Sequence, residues 1–450
     1  MPLRDRLLQL PSGAVRGTVA AVTGEQLQVR GLRLRVGEPV TVESGGRQVD
    51  GEVVALNDHG AQVTLLEHPT GLARGDRVRR PWASENVPVG DAVRGRVLDA
   101  LGRPLDGRGA LHTERVDLYG QVPAALARRR IDTAMSIGVK VIDTMCTIGR
   151  GQRVGLMAGS GVGKSTLLGM IARGAEADRV VLALVGERGR EVREFMEDEL
   201  GREALERCTV VVATSDEPPL ARLRAGWLAT RIATAAADRG EDVLLLVDSL
   251  TRMAMAQRDI GLAAGELPTN GGYPPSVMSR LLPQLLEQAG PREHGTVTGF
   301  YTVLVEGDDI HDPVADHARS ILDGHLVLDR GLAMAGRYPP VDPLQSLSRL
   351  ASKLITPEQT AVAMRTRALL ASVAEVRDLV EVGAYVAGTN PMADAGLALH
   401  GQLEALLRQP PDVSVPAAQA WEQLAAIVGG PAAGDGVSIS TGSLTVEATR

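Results

Sequence analysis

The segment AGSGVGKST, residues 158 to 166, follows the apolar run RVGLMA and precedes a helical stretch. Strand, glycine-rich loop and helix in that order make a phosphate cradle. Glycines let backbone N–H groups converge on phosphate oxygens, at a helix N-terminus whose dipole favours anions. Gly159, Gly161 and Gly163 supply the backbone freedom, and Ser160, Val162 and Thr166 complete the binding loop. Lys164 would reach the β- and γ-phosphates of a nucleotide, and Ser165 would ligate Mg²⁺. The usual pattern opens on glycine; here Ala158 stands in that place, a departure of one methyl group.

Three further segments supply what triphosphate hydrolysis needs. VLLLVDS, residues 243 to 249, is an apolar strand ending in an acid, which puts Asp248 at the strand's carboxyl end to hold Mg²⁺ directly or through water. GERGREVREF, residues 186 to 195, places Glu187 where a carboxylate can orient or deprotonate an attacking water, and Arg188 where it can meet a γ-phosphate. The neighbouring Arg190, Glu191, Arg193 and Glu194 read as a charged helix face whose pairs carry little energy. GRYPPVDPLQSLSR, residues 336 to 349, sets Tyr338 beside prolines as a rigid surface for an adenine, and Arg349 as a candidate for stabilising transferred phosphate charge.

These residues need a framework, and the chain supplies one. Closely spaced Val-rich alternating runs from Gly17 to about Arg80 predict a small β-barrel. From Val93 the pattern becomes apolar runs alternating with helical stretches, with strands expected at 153–158, 180–186, 209–214, 243–248, 298–306 and 325–329. Continuous apolar strands of this kind belong to a mostly parallel sheet covered on both faces. Helices are expected at 164–173, 192–200 and 220–238, and beyond Thr356 only helices, followed by a loose tail. The expected division is a barrel at 1–85, a nucleotide-binding α/β domain at 86–355, a helical domain at 356–430 and the tail at 431–450.

Composition narrows the class. The 450 residues carry a net charge of −7 with 2% aromatics, a poor match to a polyanion binder, so no nucleic-acid partner is expected. Cys146 and Cys208 form no CxxC or Cys/His cluster, so neither a disulfide framework nor a zinc site is expected. The charged N-terminus lacks a signal-peptide core, and no apolar run approaches the ~18 residues of a spanning helix, so the expected place is the cytoplasm. Of 48 Lys and Arg residues only three are lysine, which makes Lys164 conspicuous.

GKST, GERGREVREF, VLLLVDSLTR and YPPVDPLQSLSR in this order resemble the F-type/rotary ATPase superfamily. DSLTRMAMAQRDIGLAAGE, GGYPPSV, FYTVLVEGDD and DPVADHARSILDGH are similar to the type III export ATPases, above all the flagellar ones. The resemblance implies a β-barrel, a RecA-like P-loop core and a C-terminal helical domain assembled as a homohexamer that hydrolyses MgATP at subunit interfaces. It makes Lys164 and Ser165 the phosphate and Mg²⁺ contacts, Glu187 the catalytic carboxylate, Arg188 a γ-phosphate contact and Asp248 the metal-linked acid. Tyr338 becomes the adenine-side aromatic and Arg349 a finger inserted into a neighbouring subunit's site. It also implies a stator-like regulator, a coiled-coil stalk protein, chaperone–substrate complexes and the membrane export gate as partners, with the protein peripheral at the inner face of the cytoplasmic membrane.

The virulence-type injectisome ATPase is the alternative within the family. A hexameric RNA translocase shares the core but needs a base-stacking N-terminal domain, and the first aromatic residue here is Trp82. A nucleotide-binding subunit without turnover would lack Lys164 or Glu187, and both are present. Three departures from the family pattern bear on local geometry. Met253 and Met278 replace expected phenylalanines, Ala124 and Ala125 replace an Asn-Pro, and VMSRLLPQLLEQAG is one residue longer.

Overall fold

Val19, Leu27, Val42, Val49, Val53 and Val63 alternate with polar residues along short runs, and each is buried. Their strands are β1 (Gly17–Thr23), β2 (Gln26–Arg30), β3 (Pro39–Ser44), β4 (Arg47–Asn57), β5 (Gly60–Leu65) and β6 (Arg77–Arg79). They close into a barrel in the order β1-β2-β5-β4-β3-β6, with β6 pairing back onto β1. Closure removes free strand edges. The computed structural model describes residues 16–81, 86–305 and 312–429. Trp82, the EGDD end of FYTVLVEGDD and the expected tail lie outside the described residues.

The second unit is built on a sheet whose principal strands are β7 (Val97–Leu98), β8 (Arg153–Ala158), β9 (Arg179–Val185), β10 (Cys208–Ala213), β11 (Asp242–Asp248), β12 (Thr296–Leu304), β13 (Gly324–Val327) and β14 (Leu347–Ser348). Their order is β14-β13-β8-β12-β11-β9-β10-β7, parallel throughout except for β14, which runs antiparallel to β13. Burial on both faces explains the continuous apolar runs. Along β9, Val181, Ala183 and Val185 enter one core cluster, and Val180, Leu182 and Leu184 enter the other. The first cluster is covered by α2 (Pro219–Asp238) and α3 (Leu250–Ala263), the second by α1 (Lys164–Gly174) and the C-terminal helices. At ~1.5–3 kcal/mol for each large side chain fully buried, this two-sided packing dominates the stability of the domain.

α3 was not among the helices expected from periodicity; its N-terminus is capped by Ser249, whose hydroxyl accepts from Arg252 N. α4 (Pro313–Ile321), likewise unexpected, is capped by Asp312. The helical unit comprises α5 (Pro357–Glu381), α6 (Pro391–Leu407) and α7 (Ala417–Val428). α5 opens with a full capping box between Thr356 and Gln359. Gln409 ties this unit to the sheet domain. Its Oε1 accepts from Lys140 N at 2.9 Å, its Nε2 donates to Gly138 O at 2.7 Å, and its own N–H donates to Tyr338 O at 2.9 Å.

The departures from the family pattern are absorbed locally. Met253 is fully buried and packs where a side chain on Gly226 would stand. Met278 is half-buried against the same core. The longer segment contains a π-helical turn, Ser276–Leu281, and an i→i+5 turn takes up one extra residue without ending the helix. Beside Ala124 and Ala125, Arg128 and Arg129 fasten the chain to the carbonyls of Ala289 and Arg292, at 3.0 and 2.9 Å. Both cysteines are buried and free, and burial pushes their thiols up to about 11 for Cys146 and about 12 for Cys208.

Candidate active site

The phosphate-loop sequence leaves the carboxyl end of β8 and enters α1. Gly163, the residue before the helix, has φ +98°, a left-handed conformation that side-chain-bearing residues rarely adopt. Ala158, the residue that departs from the pattern, ends β8 with its methyl fully buried, so the substitution leaves the loop itself unobstructed. Val162 is buried, while Ser160, Gly161 and Ser165 are exposed. The Ser160 carbonyl accepts from Arg330 Nη2 at 3.1 Å. The Thr166 hydroxyl turns to Glu199 Oε1, at 2.8 Å, rather than toward Lys164.

Lys164 Nζ lies 3.1 Å from Glu187 Oε1 and 2.5 Å from Asp248 Oδ1. The three side chains are 12%, 16% and 3% exposed. Burial works against the ammonium, but the two carboxylates outweigh it and the Lys164 pKa is raised, so the side chain stays charged. Glu187 and Asp248 come from the carboxyl ends of adjacent strands, β9 and β11, and Lys164 from the loop after β8. This is the edge at which parallel sheets bind ligands. A cleft of about 260 Å³ opens beside them, lined by Ser165, Glu187, Glu191, Asp198, Glu199 and Asp248 among others. Gly186, at φ +75°, lets Glu187 turn into the cleft, and a Cβ there would stand 2.9 Å from the Arg252 side chain.

The Ser165 hydroxyl and the Asp248 carboxylate both belong to residues that line this cleft. Among the described residues no group of three or more His, Cys, Asp or Glu side chains forms a metal cage. A hydroxyl and one carboxylate, with phosphates and water completing the shell, is the pattern of Mg²⁺ rather than of a protein-only site. Tyr338 is 44% exposed, and its ring packs at Gly163 of the phosphate loop. Arg188 is not gathered into the cluster; it is an exposed residue paired with Glu191 at 3.2 Å.

Arg349 is also exposed, and it stands at the other end of the sheet. It follows the edge strand β14, and its backbone N–H donates to Asp323 O at 3.0 Å, level with the start of β8. The phosphate loop begins at the far end of β8, five residue steps or about 17 Å away at the rise of a β-strand.

Comparison with known proteins matches residues 138–348 to the ATP synthase alpha/beta family, nucleotide-binding domain, and residues 355–426 to the T3SS EscN ATPase C-terminal domain. The flagellum-specific ATP synthase of Bacillus subtilis is 45% identical over 88% of this chain and 91% of that protein. The chain belongs to the family of flagellar and type III secretion ATPases. The type 3 secretion system ATPase of Xanthomonas euvesicatoria is 46% identical over 91% of this chain and 93% of its own length. The assembled ATPase EscN from enteropathogenic E. coli, in complex with its central stalk EscO, superposes with a TM-score of 0.84 at 39% identity, covering 92% of this chain and all of that one.

This ATPase carries a site residue that motif reading passes over. Thr302 sits on β12, the strand between β8 and β11, and its buried hydroxyl donates to Asp248 Oδ1 at 2.7 Å. That is the same oxygen that receives Lys164, so the orientation of Asp248 is fixed from two sides. A polar residue within the apolar run FYTVLV was the available signal. Arg330, which grips Ser160, is one arginine among many and gave none. Thr302→Val should preserve the volume but release the Asp248 carboxylate, lowering kcat/KM for MgATP by about 10- to 150-fold, the range of one hydrogen bond to a charged group. Steady-state assays across a Mg²⁺ titration measure this, and Thr302→Ser should recover most of the loss.

Proposed function

We propose that this ATPase energises flagellar type III protein export, turning over MgATP at the interfaces of a homohexameric ring. The convergence of Lys164, Glu187 and Asp248 at one sheet edge carries the catalytic part of the reading. Lys164 turns from the carboxylates to the β- and γ-phosphates. Ser165 and Asp248 would hold Mg²⁺, which would supply positive charge to the phosphate oxygens. Glu187 accepts a proton from the attacking water and directs its lone pair at the γ-phosphorus. The backbone of Gly159 to Gly163, with Ser160, Val162 and Thr166 in the loop, surrounds the phosphates, and Tyr338 packs on the adenine. Arg188 reaches the γ-phosphate by leaving Glu191, an exposed pair worth only ~0–1 kcal/mol and therefore easily exchanged.

Arg349 acts in trans. It stands a strand length from its own phosphate loop, so its exposed guanidinium serves a neighbouring copy, and a ring of identical chains supplies every site with both carboxylate and finger. The flagellar assignment rests on the Bacillus relative and on ATSDEPPLARLRA, which is similar to flagellar sequences. The Xanthomonas relative keeps the injectisome reading in view. Among the described residues no helix is long and apolar enough to cross a membrane. We place the protein in the cytoplasm, peripheral at the inner face of the membrane. Its partners there are a stalk like that of EscN, a stator-like regulator, chaperone–substrate complexes and the export gate.

Deleting the gene should abolish motility and leave effector secretion intact; the reverse outcome assigns the ATPase to an injectisome. In the purified protein, Lys164→Ala should lose nucleotide affinity and turnover together. Glu187→Gln should bind ATP normally while kcat falls ~10²–10⁴-fold, the range of a lost general base. Full turnover of that variant would remove Glu187 from the mechanism. Inactive Lys164→Ala and Arg349→Ala subunits, mixed before assembly, should regain activity, because some interfaces then combine an intact loop with an intact finger. Mixed rings that form yet stay inactive would place the finger elsewhere.

A further inference from the structure

Gln152 lies immediately before β8 and is fully buried. Its amide oxygen accepts from Gly149 N at 2.9 Å, and its amide nitrogen donates to Asp323 O at 3.2 Å and to Ser348 Oγ at 3.0 Å. Both acceptors on the nitrogen side belong to the mounting of Arg349. Ser348 is the residue before it, and the Asp323 carbonyl is the group that receives the Arg349 backbone N–H, at 3.0 Å. One buried amide thus touches Ser348 directly and Arg349 through the Asp323 carbonyl that both share.

Two residues before Ser348, the buried Ser346 hydroxyl accepts from Val327 N at 2.9 Å. β14 is two residues long and lies at the sheet edge, paired only to β13. Asp323, in contrast, is firmly fixed, since its carboxylate accepts from the backbone N–H of Arg153 and from its guanidinium, both at 3.0 Å. The guanidinium of Arg349 donates to Arg319 O at 2.9 Å, near the carboxyl end of α4, where helix carbonyls favour a cation. The backbone beneath that contact is set by Gln152 and Asp323. Gln152 lies at the amino end of β8, the end opposite its own chain's phosphate loop, and its carbonyl accepts from Gly299 N on β12 at 3.0 Å.

We propose that Gln152 is a positioning residue for Arg349, so that the base of one subunit's phosphate-loop strand aims the arginine used at the neighbouring subunit's site. The inference rests on the trans reading of Arg349. Misplacing a catalytic group by about an ångström costs up to ~10²-fold in rate, so the effect of losing the amide should be large.

Gln152→Met keeps the length and volume of the side chain and removes its amide; Ser348→Ala removes one of the two links with far less disturbance of the core. In assembled rings, kcat should fall ~10-fold or more for Gln152→Met and less for Ser348→Ala, with affinity for a fluorescent ATP analogue unchanged. Mixing either variant with Lys164→Ala subunits should restore activity, as the Arg349→Ala mixture does, because the variant's own loop then meets an intact finger. A variant that weakens nucleotide binding, or that Lys164→Ala subunits fail to rescue while the Arg349→Ala control is rescued, overturns the inference and makes the residue a support of its own site. Unchanged kcat in Ser348→Ala overturns it if Gln152→Met does not fold. An unrescued control overturns the trans finger itself, and this inference with it.

Discussion

An ammonium enclosed by two carboxylates at the ends of two different strands is a closed electrostatic arrangement, and the catalytic edge of this protein is organised around it. Burial of each charge is costly, and the opposite charges offset that cost only while all three stay together. Lys164 neutralises one of the two carboxylates beside it, so the cluster retains a net charge of −1 and favours a further cation. On the proposed mechanism MgATP would satisfy both sides of the imbalance: a divalent cation would meet Asp248 and Ser165, and the phosphates would give Lys164 a new anionic partner.

The parallel sheet makes this possible because strand direction sorts chemistry by end. Strands β8, β9 and β11 deliver the loop lysine and both acids to one edge, while β14, reversed against β13, carries Arg349 to the opposite edge. Separation along β8 keeps Arg349 about a strand length from the phosphate loop of its own chain. The carboxyl end of the strand leads into that loop, while its amino end abuts the mounting of Arg349.

Lys164, Glu187 and Asp248 were readable from sequence because apolar runs frame them: Asp248 ends β11, Glu187 stands just past β9, and Lys164 follows the glycine-rich loop that leaves β8. The runs at Arg153–Ala158 and Asp242–Asp248 were bounded to within a residue for the same reason. Thr302 and Gln152 were not readable as site residues. Their contacts join positions 54 and 196 residues apart and exist only through strand pairing, which apolar pattern does not specify. The surface pairing of Arg188 with Glu191 is the kind of long-side-chain choice that composition leaves open.

The scarcity of lysine takes on a structural explanation. Arginine serves here largely as a multi-donor fastener for backbone carbonyls. Arg129 binds Arg292 O and Gly295 O, Arg231 binds Asp117 O, and Arg337 spans Val341 O and Glu404. A rigid fork suits such fixed targets, because several donors are placed at once and little freedom is lost per bond. The phosphate loop has the opposite requirement. Its cation has to exchange carboxylates for phosphates within one turnover, and a compact ammonium on a flexible stem can turn from one set to the other without breaking a planar pair. An arginine at position 164 would bind Glu187 or Asp248 in a two-bond fork and resist release. The arginine bias elsewhere and the lysine at the loop therefore follow from one distinction, between contacts that must persist and a contact that must change.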